Sequence, residues 1–138
     1  MFFGEHTHSL DGKGRVILPA KYRGRLADGV VATSAVDGCL AVWTPEDFEV
    51  RAREMQDKAK SGSRAERDQA RAFFSGTVEV VPGPQGRIAL PAHLREFAGL
   101  HDEVVITGQF DHIEIWDAER WRQRKQAGEQ GLAAGADD

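Results

Sequence analysis

A mainly β fold with peripheral helices, built as two related halves, is what this sequence predicts. Three observations carry that prediction. The block Gly14-Arg15-Val16-Ile17-Leu18-Pro19-Ala20-Lys21-Tyr22-Arg23 returns 72 residues later as Gly86-Arg87-Ile88-Ala89-Leu90-Pro91-Ala92-His93-Leu94-Arg95. Each copy is followed by two short β-branched, apolar runs. Each half then closes on a tryptophan followed by a helix-capping residue. Two copies fall short of the three units a solenoid needs, so the repeat reads as a duplication folded as two halves.

The elements follow in order. A short strand containing His6 and His8 on one side leads into the turn around Gly12 and Gly14, and a second strand then runs into Leu18-Pro19. Pro19 and Pro91 suit the first helical position, where a missing N–H costs nothing. The helical turns should end near Gly24 and Gly99. Strands are expected at 30–35 and 39–43, and again at 103–108 and 112–116. Thr44 with Pro45, and Asp117, then read as helix starts. Trp43 with Phe48 and Trp116 with Trp121 stand at the spacing of a hydrophobic staple. Between the halves, seven acids and seven bases from Glu46 to Arg71 suggest a solvated helical hairpin broken at Ser61-Gly62-Ser63. In an alternative reading, Phe48, Met55, Phe73 and Phe74 pack on a neighbouring subunit. The expected organisation is a first half at 1–50, a helical linker at 51–75, a second half at 76–125 and a disordered tail at 126–138.

Composition narrows the function. The 138 residues are 41% apolar and 29% charged, a globular balance. No apolar run approaches the ~18–20 residues of a membrane span, and the start lacks the pattern of a signal peptide, so a cytoplasmic protein is expected. The lone Cys39 excludes internal disulfides and multi-cysteine metal sites. His6 and His8 lack a third ligand, so no metal is assigned. No P-loop, Gly-x-Ser-x-Gly or His-Glu-x-x-His pattern appears, so no catalytic residue, cofactor or small-molecule substrate is assigned. Net charge is −4, yet residues 11–25 hold five bases against one acid. Such a local field matters more to an anionic partner than the total does.

The turn Asp11-Gly12-Lys13-Gly14-Arg15 is the candidate site. Lys13 and Arg15 alternate, so an extended chain points both to one side. Two cations there suit phosphate, and arginine also suits a bidentate bond to guanine. The second copy places Gln85 and Arg87 at the same positions, and glutamine can read adenine. Lys21 and Arg25 are candidates for secondary phosphate contacts. Arg23 and Arg95 read as structural, in an ion pair or a helix C-cap.

Further residues carry a resemblance. They are Met1-Phe2-Phe3-Gly4, Leu10-Asp11-Gly12-Lys13-Gly14-Arg15 with Leu18-Pro19-Ala20, Gly86-Arg87-Ile88-Ala89-Leu90-Pro91 and Ile113-Glu114-Ile115-Trp116-Asp117. Over residues 1 to about 125 the chain resembles the MraZ family of bacterial transcription regulators, built from two SpoVT-AbrB-like modules. The resemblance implies a double-split β-barrel with a pseudo-twofold axis, assembled into a homo-oligomeric ring. It implies a nucleoid-associated protein that binds double-stranded DNA at promoter direct repeats of the division and cell-wall gene cluster. The usual action would be repression, including of its own gene. The family's Asp-x-x-x-Arg signature falls on Asp11 and Arg15. Its second copy falls on Gly83 and Arg87, without the aspartate, so the first half is expected to lead in DNA contact. The competing expectation is an AbrB-fold interaction protein, antitoxin-like, that holds a protein partner.

Overall fold

The computed structural model describes residues 1–135 and shows a mixed β/α fold whose strand pairs are all antiparallel. In chain order the elements are β1 (Glu5–Ser9), β2 (Arg15–Ile17), α1 (Ala20–Leu26), β3 (Val30–Ala35), β4 (Cys39–Trp43), α2 (Pro45–Ser61) and α3 (Arg64–Gly76). The second half continues with β5 (Val78–Val80), a 3-10 turn (Pro84–Gly86), β6 (Arg87–Ala89), α4 (Ala92–Ala98), β7 (Glu103–Gly108), β8 (Ile113–Asp117) and α5 (Ala118–Ala134). Six strands form one sheet in the order β1-β7-β8-β4-β3-β5, and β2 and β6 form a separate two-stranded ribbon.

The halves are interleaved. β1 of the first half pairs with β7 of the second, and β5 of the second pairs with β3 of the first. Register locates the symmetry. Leu40 pairs with Ile115 and Val42 with Ile113, about a central pair of Ala41 and Glu114. Under the repeat Leu40 matches Ile113, Ala41 matches Glu114 and Val42 matches Ile115, so equivalent residues trade places. In the ribbon Val16 likewise faces its own repeat mate, Ile88. A local twofold therefore passes through both pairs. One core lies between sheet and ribbon, where Phe2, Leu18, Leu26, Leu90, Ile106 and Ile115 are fully buried. Each such side chain contributes roughly 1.5–3 kcal/mol by leaving water.

Several boundaries differ from the sequence expectation. Pro19 and Pro91 occupy the cap position, one residue before the helix, with ψ of 139° and 157°. α1 continues through Gly24 to Leu26, because Leu26 is a core residue, whereas α4 stops on the left-handed Gly99. The tail is corrected too: α5 runs to Ala134, so residues 126–134 are helical rather than disordered, and 136–138 lie outside the described residues. Among the described residues no helix is long and apolar enough to cross a membrane.

The helical hairpin starts where Thr44 accepts the Asp47 N–H, and it turns at Gly62. Ser63 and Glu66 then form a reciprocal capping box on α3. Ser63→Ala should lower stability by ~1 kcal/mol in urea unfolding, the usual value of such a cap. Phe48 stacks on Phe73 at 6.2 Å and Phe73 is buried, so these rings pack within the chain. Phe74 remains exposed. The second staple forms, with Trp116 and Trp121 at 5.8 Å. In the first half the rings take other partners: Phe48 meets Phe73, and Trp43 stacks on His112 at 4.4 Å.

His112 and Glu114 stand where the first half has Cys39 and Ala41. His112 reaches Asp111 at 2.7 Å and Glu114 at 3.2 Å. Burial favours the neutral ring, but hydrogen bonds to Glu114 and Asp111 outweigh it, and the net pKa is raised above 6.5. A raised histidine stabilises the fold fully below 6.5, and that contribution is lost as pH rises through the folded value. The urea midpoint should therefore fall as pH rises through that window, and His112→Gln should flatten the dependence.

Candidate nucleic-acid interface

The ribbon of β2 and β6 is three residues long on each strand. Val16 and Ile88 point inward and are buried. Alternation along a strand then turns Arg15, Ile17, Arg87 and Ala89 to the outer face. Arg15 sits opposite Ala89, and Arg87 opposite Ile17, so the two arginines lie diagonally across the local twofold. A two-stranded ribbon is of a size that the DNA major groove admits.

The turns before the two strands share a frame. Asp11 N–H donates to the Arg15 carbonyl at 2.9 Å and Gly83 N–H to the Arg87 carbonyl at 2.8 Å. Gly14 and Gly86 both adopt φ of 74°, a left-handed geometry that glycine takes without strain. The first turn is more tightly held. Asp11 Oδ1 accepts the backbone N–H groups of Lys13 and Arg15, each at 2.9 Å, while Oδ2 accepts Arg15 Nε at 2.7 Å. The Arg15 backbone N–H, then its guanidinium, then the Lys13 N–H hold the Asp11 carboxyl down at about 2. Gly83 offers no such carboxylate. There Gln85 takes a left-handed φ of 62°, uncommon for a side chain with Cβ. Arg87 has no carboxylate within 4.0 Å among the described residues, and its side chain is unrestrained by an ion pair.

The other candidates fall in two groups. Lys13 is exposed at the tip of the first turn. Arg25 is drawn to the N-terminal segment, its guanidinium 4.4 Å from the Phe2 ring centre and 3.8 Å from Asp47. Lys21 lies beside Gly4 and 5.6 Å from the Tyr22 ring. Both therefore sit on α1 rather than on the ribbon. His6 meets Tyr22 edge-on, and His8 is pushed toward the neutral form by burial, then by His6 and Arg23. Cys39 is buried and its thiol pKa is raised, chiefly by that burial. Among the described residues no group of three or more His, Cys, Asp or Glu is placed to hold a metal.

Two arginines have a larger part than their sequence context suggested. Arg23 Nε donates to the Leu18 carbonyl at 2.9 Å, and Arg95 Nη1 donates to the Leu90 carbonyl. These bonds replace the expected ion pair or helix cap. Each side chain then lies over the turn glycine of the other half, Arg23 over Gly86 and Arg95 over Gly14, where any Cβ would collide with it. Each half thus braces the other half's turn. The recurrence of arginine at this position in both copies was the available signal.

Fold and site together define a class: a duplicated β/α protein whose halves complete one another's sheet and share one cationic ribbon. A family model described as "MraZ protein, putative antitoxin-like" matches residues 1–71 and 73–137. The chain is 46% identical to the transcriptional regulator MraZ of Nocardioides sp., over 99% of this chain and 94% of that one. It is 44% identical to that of Paenarthrobacter aurescens over 89% and 85%, and 45% identical to that of Symbiobacterium thermophilum over 91% of each. The chain belongs to the MraZ family.

Proposed function

We propose that this protein is a cytoplasmic, nucleoid-associated transcription regulator that binds promoter DNA in a sequence-specific way through the β2–β6 ribbon. The observation that carries this reading is the twofold pair of arginine-bearing turns on one outward face. Arg15, preset by Asp11, reads a base edge, with Lys13 on a phosphate. Arg87 and Gln85 act from the other half, and Lys21 and Arg25 supply outlying phosphate contacts. The naming of the relatives as transcriptional regulators supports the reading. The exchanged strands and the shared axis support a double-split barrel.

One ribbon offers few cations, so a single subunit should bind DNA only at roughly 10⁻⁴–10⁻⁶ M. Several subunits on direct repeats gain ~10²–10⁴ through effective concentration. A homo-oligomeric ring on repeats upstream of the division and cell-wall genes, repressing them and its own gene, fits this arithmetic. A salt-titrated gel shift tests it, with DNA upstream of the protein's own gene set against a scrambled probe. Retention of the native probe alone at physiological salt is expected. Equal binding to both, vanishing as salt rises, would reduce the ribbon to a nonspecific phosphate contact. A pulldown returning one stoichiometric protein would then favour the antitoxin-like reading.

A further inference from the structure

The first turns of α5 are anchored. Trp121 packs on Trp116, Arg120 donates to the Gly38 carbonyl at 3.0 Å, and Lys125 pairs with Glu5 at 2.9 Å. Residues 126–134 continue the helix with no such support. All are exposed except the half-buried Gly131, Leu132 is 82% exposed, and nothing lies within 4 Å of a Cβ placed on Gly128 or Gly131. Each of these glycines costs ~1 kcal/mol relative to alanine in a helix, and short unsupported helices are marginal in water. A covering surface would account for the helix there.

The hairpin offers one. Between α2 and α3 runs a groove of roughly 430 Å³ lined by Ala59, Ala70 and Phe74 together with Lys60, Arg67 and Arg71. Charge matches across the two. Residues 58–71 hold five bases and two acids, whereas residues 126–134 hold one acid, Glu129, and no base.

We propose that residues 126–134 of one copy seat in the α2–α3 groove of a second copy. The Gly128 and Gly131 face lies against Ala59 and Ala70, Leu132 meets Phe74, and Glu129 approaches Arg67 and Arg71. The contact joins unlike surfaces, so each copy keeps one free helix and one free groove, and head-to-tail contacts of this kind form a ring when the rotation from copy to copy closes. A nine-residue helix spans only about 13.5 Å at 1.5 Å per residue. One such contact is smaller than a standard interface, and closure, which engages every copy twice, compensates. The inference rests on the assembly part of the reading above and supplies its surface.

Paired cysteines in the full chain test it. Leu132→Cys and Phe74→Cys variants would be purified separately, mixed and oxidised, with the native Cys39 buried and out of reach. The expected result is a two-chain cross-link in the mixture, at least tenfold above either variant alone. Arg67→Glu with Arg71→Glu should at least halve the mass seen by light scattering, and Glu129→Arg should restore it. No excess cross-link in an assembled protein would overturn this docking while leaving the DNA reading intact. So would a purely intrachain link in the double variant. A wild-type protein of single-chain mass would overturn ring assembly itself.

Discussion

Arg15→Ala should weaken binding to the specific DNA by ~1–3 kcal/mol per engaged site, which is about fivefold to 150-fold. Anisotropy titrations at fixed salt, with operator and scrambled probes, would measure it. The effect should be large because Arg15 is already held. The bond from its Nε to Asp11 and the bonds from Asp11 to two backbone N–H groups fix both the turn and the side chain. Less rotamer entropy remains to be lost on binding. Arg87 has no such tether, so Arg87→Ala should lose less. A loss shared equally by both probes would mark Arg15 as a phosphate contact, and wild-type affinity would remove it from the interface.

Gly108→Ala should destabilise the fold by roughly 3 kcal/mol, at the upper end for overpacking. Its N–H donates to the Gly4 carbonyl at 2.8 Å, and an added methyl would overlap the backbone of Phe2 and Phe3. That segment cannot retreat. Phe2 and Phe110 exchange backbone bonds of 2.8 and 2.7 Å, Phe2 is 1% exposed, and Tyr22 donates to the Phe3 carbonyl at 2.5 Å. Gly24→Ala is the control. It meets nothing within 4 Å inside α1, so it should hold stability or gain up to ~1 kcal/mol. Equal urea midpoints for Gly108→Ala and wild type would refute the packing argument.

Much of this architecture was legible from the chain. The strands at 30–35, 39–43 and 103–108 are local and apolar, and their pattern is visible without tertiary context. The turns followed from Gly14 and Gly86. What local pattern could not give was which strand pairs with which. The pairing of β1 with β7 joins residues about a hundred apart, and no short-range signal encodes it. The bracing by Arg23 and Arg95 was hidden for the same reason, since their targets belong to the opposite half. The tail misled because its small residues favour disorder by composition, although its helix is continuous with a well-anchored first turn. At the candidate site the residue types were readable, but the difference in hold between Arg15 and Arg87 needed the turn geometry.

The strand exchange has a consequence for ancestry and for dissection. Neither half carries a complete sheet: cut from the other, the first lacks a partner for β1 and the second a partner for β5. A primordial single-copy gene product would have closed its fold only by pairing with an identical chain, so the duplication reads as a symmetric dimer made covalent. The hairpin at Gly62 would then be a tether rather than a structural necessity. A chain nicked there should stay in one piece under native conditions, and two co-expressed fragments meeting at that point should find each other and reconstitute the whole.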